Sequence, residues 1–157
     1  MKIDVQKTVE TLGVFAVVLS LIFVGLELRQ SNDIAIRDAR NEISEKRSHI
    51  AELKIENSSL RKLLIKLSNA NADLSEEESI EVEGLIRLYV GYWASIQAAH
   101  EGGFLPERVY EVHLKSAALT AKRYPYLAKA VRERLQELRV GADLGEIYAV
   151  ILNETVQ

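Results

Sequence analysis

The side chains best suited to proton transfer or metal ligation near neutral pH are His49, His100 and His113. His100 and His113 flank the pair Gly102-Gly103, so a site made of these two and Glu111 needs two helices folded back across that turn. No HExxH or comparable ligand spacing accompanies them, and His49 falls on the polar side of a long amphipathic stretch. The carboxylate run Ser75-Glu76-Glu77-Glu78, continued by Glu81 and Glu83, has the charge to attract a cation. Its S-x-x-E spacing is that of a capping box, and an acidic first turn suits the positive end of a helix dipole. Phosphate loop, nucleophile elbow and paired catalytic carboxylates all lack a match. Without a cysteine the chain has no disulfide, no thiolate metal site and no Cys nucleophile. These residues predict no catalytic site, no metal and no cofactor.

One charged feature points to binding. Seven basic residues between Lys115 and Arg139, Lys129 and Arg132 among them, are interleaved only with Glu133 and Glu137. They read as a basic strip towards anionic lipid or an acidic partner, or as a solvated helix face. With a net charge of −3 the chain as a whole is not a nucleic-acid binder.

The elements that must carry these residues are helices, because only two prolines and eight glycines interrupt 157 residues. Residues 11–26, TLGVFAVVLSLIFVGL, are free of charge and bracketed by Glu10 and Glu27. At 1.5 Å per residue they extend roughly 24 Å, and Val9 and Leu28 lengthen the apolar surface towards a bilayer span. A buried core helix also fits this length, but an all-round apolar helix needs a larger surrounding core than this chain builds. A cleaved signal peptide lacks its small-x-small site. The expected arrangement is a tail at 1–8 and a transmembrane helix at 9–28. Arg29, Arg37, Arg40, Lys46 and Arg47 follow the span, against Lys2 and Lys7 before it, which predicts a cytoplasmic C-terminal side. Ala16 and Ser20 form a weak small-xxx-small pair.

After the span, Ile36, Ile43, Ile50, Asn57, Leu64 and Asn71 recur every seven residues, with Ala39, Lys46, Leu53, Leu60, Leu67 and Leu74 three positions on. This a/d pattern predicts a heptad helix within 29–74, its register about 57 Å long if continuous. Ile at a and Leu at d favour a parallel dimer, and Asn57 at a is a register device. The expected seam is Ile36, Ile43, Ile50, Leu53, Asn57, Leu60, Leu64 and Leu67, with Glu42 and Glu56 facing Arg47 and Arg61 of the other strand. The competing reading packs this helix on the chain's own C-terminal domain, which the extra apolar Leu63 and Ile65 favour.

Residues 75–157 read as a small helical bundle. Asn69–Asp73 is turn-prone and Ser75 opens a helix carrying Leu85, Leu88, Tyr89, Tyr92, Trp93 and Ile96 on one broad face. Tyr89, Tyr92 and Trp93 are the core of the bundle, a ligand pocket or, with Lys129 and Arg132, a partner-binding surface. Pro106 starts a helix to about Lys122, Pro125 another ending at Gly141, and Asp143-Leu144-Gly145-Glu146 resembles a further cap before Ile147, Tyr148 and Ile151.

Residues 20–35, SLIFVGLELRQSNDIA, resemble the N-terminal signature of a broad group of bacterial single-pass membrane proteins. In these an apolar span ends in an aliphatic–(Glu/Gln)–aliphatic–Arg–Gln–polar–Asn run. Residues 89–104, with Tyr92-Trp93 and the Gly-Gly turn, resemble that group's helical C-terminal region. The resemblance implies a bacterial inner-membrane location and no particular activity. The chain is therefore expected to be all-α, membrane-anchored and non-enzymatic: a scaffold or accessory subunit that self-associates, dimers being favoured, or binds other membrane proteins. An oligomeric pore or transporter subunit is a second expectation, with Ser20 the one polar residue deep in the span. An enzyme using His100, His113 and nearby carboxylates is a third.

Overall fold

The structure is a computed structural model that describes residues 5–138 and 145–154. It is all-helical, with six helices and no strand among the described residues: α1 Val5–Glu56, α2 Ser58–Lys66, α3 Glu76–Glu101, α4 Glu107–Arg123, α5 Pro125–Leu138 and α6 Gly145–Glu154. Its contacts divide it into two units, residues 1–38 and residues 39–157.

In the first unit every described side chain from Leu12 to Ile34 is exposed. Its most apolar window has a mean hydropathy of 2.1 and no buried residue. Phe15, Leu19, Ile22, Phe23 and Leu26 point outward on all sides of the helix, so the segment is not a core helix of this chain. It is long and apolar enough to cross a membrane.

The second unit is built around one hydrophobic cluster that runs from Ile43 on α1 to Ile151 on α6. The expected heptad helix is not continuous. α1 stops at Glu56, and Asn57 takes an extended conformation (φ −90°, ψ 105°). The Asn57 Oδ1 accepts the Leu60 N–H at 3.0 Å, so the residue expected to set a coiled-coil register instead caps α2. The apolar seam is then buried inside the chain. Ile43, Ile50, Leu60, Leu64 and Leu67 belong to the core, joined by Leu63, and Leu53 packs on its edge. Lys46, the polar residue in the seam, is satisfied there too. Its ammonium donates to Glu42 at 2.6 Å and to the Ser95 hydroxyl on α3.

The remaining helices follow their local signals. Ser75 and Glu78 complete the capping box, the serine Oγ accepting from the Glu78 N–H at 3.2 Å and the carboxylate accepting from the Ser75 N–H at 2.8 Å. Gly103, at φ 72°, ends the turn after α3 in the left-handed region. Pro106 directly precedes α4 at its N-cap position without a side-chain bond, and Pro125 is the first residue of α5. Leu127, Val131 and Leu135 of α5 and Ile147 and Ile151 of α6 are inward, with α6 against α3, α4 and α5. The expected boundary at residue 75 therefore divides a shared core, and the contact boundary falls after Asp38. The expected stop at Gly141, the Asp143-Leu144 part of the last cap, and residues 1–4 of the tail lie outside the described residues.

Candidate functional site

Arg40, Arg47 and Lys54 on α1 and Arg61 on α2 follow one another at intervals of seven residues. Seven residues make nearly two helical turns, so the three on α1 share a face. Leu105, Val109, His113, Ser116, Thr120 and Arg123, in and before α4, alternate at three or four residues and form the opposite wall. Three adjoining cavities lie between these walls. The first, about 360 Å³, is lined by Arg40, Arg47, Ile43, Ser44 and His113, with Leu105 and Val109. The second, about 190 Å³, lies among Arg47, Lys54, Tyr89, Tyr92, Trp93, Ser116 and Thr120. The third and largest, about 480 Å³, is bounded by Lys54, Arg61, Arg123, Ser68 and Tyr124 with Leu64 and Ile65. Arg47 is common to the first two and Lys54 to the last two, so the cavities form one groove.

No Asp or Glu among the described residues lines any of the three. In the rest of the unit Lys46 pairs with Glu42, Lys66 with Glu78 at 2.6 Å, Arg87 with Glu83 at 2.7 Å, and Arg134 with Glu137 at 3.3 Å, whereas the cations Lys62, Arg108, Lys115, Lys122 and Lys129 stand without a carboxylate within 4.0 Å among the described residues. Arg40, Arg47, Lys54, Arg61 and Arg123 have no carboxylate within 4.0 Å among the described residues. The half-buried Lys54 ammonium sits instead 5.3 Å from the Tyr89 ring centroid and 5.9 Å from that of Tyr124. Burial pulls its pKa below the usual lysine range and Arg123 adds to the effect, while Tyr124 opposes it. Arg123 lies 5.6 Å from the same Tyr124 ring. Arg61 donates through Nη1 to the Ile55 carbonyl, one of the last carbonyls of α1, left open where Asn57 breaks the helix. That bond orients the guanidinium and leaves its other N–H groups available.

Two further polar groups border the groove. The Tyr89 hydroxyl is buried with no hydrogen-bond partner, and burial pushes its pKa up to about 12. His113 Nδ1 lies 3.2 Å from the Tyr92 hydroxyl. Burial, then Arg47, pulls the His113 pKa down from its ordinary 6.5, so the neutral ring is favoured.

The expected site residues separate into three groups. Tyr89, Tyr92 and Trp93 are core residues, at most 8% exposed, so they form the back of the groove and not an outer contact face. Lys129 is exposed on α5 and Arg132 is half-buried there, neither lining the three cavities. Of the expected seam, Asn57 is exposed as a cap, and Ile36 is half-buried in the first unit. Glu42 is held by Lys46 and Ser95, which keep its carboxyl below the usual carboxylate range, and does not meet Arg47. The two histidines are engaged separately. His100 stacks on Tyr110 with centroids 3.8 Å apart, and its Nε2 is 3.7 Å from Glu107, while His113 joins Tyr92. No cluster of three metal-ligating side chains occurs among the described residues. Sequence reasoning missed Arg40, Arg47, Lys54, Arg61 and Arg123 as residues of one site, expecting Arg47 and Arg61 in a seam between strands and Arg123 in the basic strip. The seven-residue recurrence of Arg40, Arg47, Lys54 and Arg61 was the available signal.

No protein-family model, curated protein or solved structure matches the chain.

Proposed function

We propose that this protein is a non-enzymatic, membrane-anchored accessory subunit whose helical domain holds an anionic partner in the groove between α1–α2 and α4. The observation that carries the reading is the convergence of Arg40, Arg47, Lys54, Arg61 and Arg123 on three adjoining cavities that no carboxylate lines among the described residues. Cations collected without counter-ions are what an anion-binding surface requires. The largest cavity is lined by three cations and the Ser68 and Tyr124 hydroxyls, a lining suited to holding an anion.

The fully exposed apolar segment of α1 supports the anchor, and the resemblance of residues 20–35 supports a bacterial inner membrane. Arg29, Arg37, Arg40, Lys46 and Arg47 support a cytoplasmic domain. A dimer through the heptad seam is the weaker form of the proposal, because most of that seam already sits in one chain's core. A pore is weaker still, since the Ser20 hydroxyl donates to the Ala16 carbonyl of its own helix at 2.8 Å.

The cysteine-free chain makes the topology directly testable. A single Lys129→Cys variant should resist alkaline extraction from membranes. It should react with a membrane-impermeant maleimide in inverted vesicles and not in spheroplasts. Labelling in intact spheroplasts overturns the orientation, and release by carbonate overturns the anchor.

A further inference from the structure

We infer that the largest cavity of the groove is a binding site for a phosphate-bearing ligand, its oxyanion held by Lys54, Arg61 and Arg123. The inference rests on the groove assigned above and names the chemistry it takes. Lys54 comes from α1, Arg61 from α2 and Arg123 from the end of α4, so three separate elements bring one positive charge each to a single cavity of about 480 Å³. Three cations and no carboxylate favour an oxyanion of more than one charge. A phosphate meets that requirement, and the planar guanidinium forks match its oxygen geometry. A single carboxylate neutralises only one of the three.

The cavity is also larger than a bare phosphate needs. The Tyr124 ring, Leu64 and the exposed Ile65 give its remaining wall an apolar character suited to the organic part of an ester. Two further observations point to a ligand. Lys54 is half-buried without an acidic partner, a costly placement for a purely structural lysine. The buried Tyr89 hydroxyl, without a partner, borders the adjoining cavity that shares Lys54. A phosphate here has two sources, a soluble phosphate compound or the headgroup of an anionic phospholipid.

The test uses the full-length chain in nanodiscs of zwitterionic lipid. Pyrophosphate is titrated and followed by Trp93 fluorescence and calorimetry, with acetate and poly-glutamate as comparison anions. A parallel set of nanodiscs contains phosphatidylglycerol. Saturable pyrophosphate binding, weakened about tenfold or more by Arg61→Gln and by Arg123→Gln, is the expected result for a soluble source. For a lipid source, phosphatidylglycerol produces the fluorescence change and thermal stabilisation, and the same two variants remove it. Both arginines are exposed, so these variants test the site without opening the core. Lys129→Gln, away from the cavity, should leave either response unchanged. Binding equal for acetate and pyrophosphate, binding indifferent to Arg61 and Arg123, or no response to either phosphate source overturns the inference. Tighter binding of poly-glutamate than of pyrophosphate overturns the phosphate chemistry but leaves an acidic partner, and so the proposed function, in place.

Discussion

At the scale of single residues, the groove is marked by groups whose ordinary partners are missing. Tyr89 is one: its ring packs against Trp93 at a centroid distance of 5.3 Å, but its buried hydroxyl bonds to nothing. Tyr89→Phe removes only that hydroxyl, so stability should be unchanged or rise by about 1 kcal/mol in chemical denaturation. A clear destabilisation would show that the hydroxyl is satisfied in the folded protein. His113 makes a pH-dependent case. Its folded pKa lies below the 6.5 of the free side chain, through burial and then Arg47. Above about 6.5 both states are neutral at this residue and the shift has no effect. As the pH falls below that value the unfolded chain takes up the proton first, so stability declines until the folded ring also titrates. The melting temperature should therefore drop more between pH 7 and 5.5 in the parent than in His113→Gln. Parallel curves would show that His113 is not the group responsible. The residue types of this groove were visible in the sequence, Arg40, Arg47, Lys54 and Arg61 at sevens. Their lack of partners was not, because it depends on where each carboxylate goes. Glu42 was expected opposite Arg47 of another strand, and it is taken by Lys46 and Ser95 within the chain.

At the scale of elements, local signals were legible and long-range ones were ambiguous. The Ser75–Glu78 box and the Gly-Gly stop are settled within a few residues, so the sequence specifies them alone. The 36–74 pattern is different, since 3.5- and 3.6-residue periods diverge by only about 20° per heptad. The same isoleucines and leucines therefore serve a dimer seam or an intramolecular core. Asn57 separates the two outcomes. In a continuous coiled coil an Asn at a costs stability, and replacing it with an apolar residue stabilises the dimer. As the cap of α2, with its side chain bonded to the Leu60 N–H at 3.0 Å, it contributes stability instead. Asn57→Ala should thus destabilise the protein by about 1 kcal/mol in denaturant titration. A stabilised variant would restore the continuous heptad helix. The break also bears on the site, because it opens the Ile55 carbonyl that orients Arg61.

At the scale of the molecule, one core joins parts of the chain that the sequence separates. The helical signals of residues 75–157 predict a bundle in its own right, yet Ile43, Ile50, Leu60, Leu63, Leu64 and Leu67 share a cluster with Trp93, Leu127 and Ile151. The sequence signalled the need: about 80 residues make a limited core, and docking of the heptad helix was one way to enlarge it. It held no information on whether that helix came from the same chain or another. Leu67 provides the decisive test, because it is fully buried just after α2 and its carbonyl accepts the Tyr126 N–H of α5 at 3.4 Å. Leu67→Ala should lower stability by about 2–5 kcal/mol, as for other large-to-small changes at filled positions. Because the contact is within one chain, the parent's melting temperature should not vary with protein concentration across nanodiscs and detergent, and the variant's should be lower by a constant amount. If Leu67 were instead part of an intermolecular seam, both melting temperatures would rise with concentration by mass action, and the gap would narrow as the dimer filled. The same measurement decides what the groove is made of. A concentration-independent unit means that Lys54, Arg61 and Arg123 are brought together by a single chain, and that each copy carries a complete site.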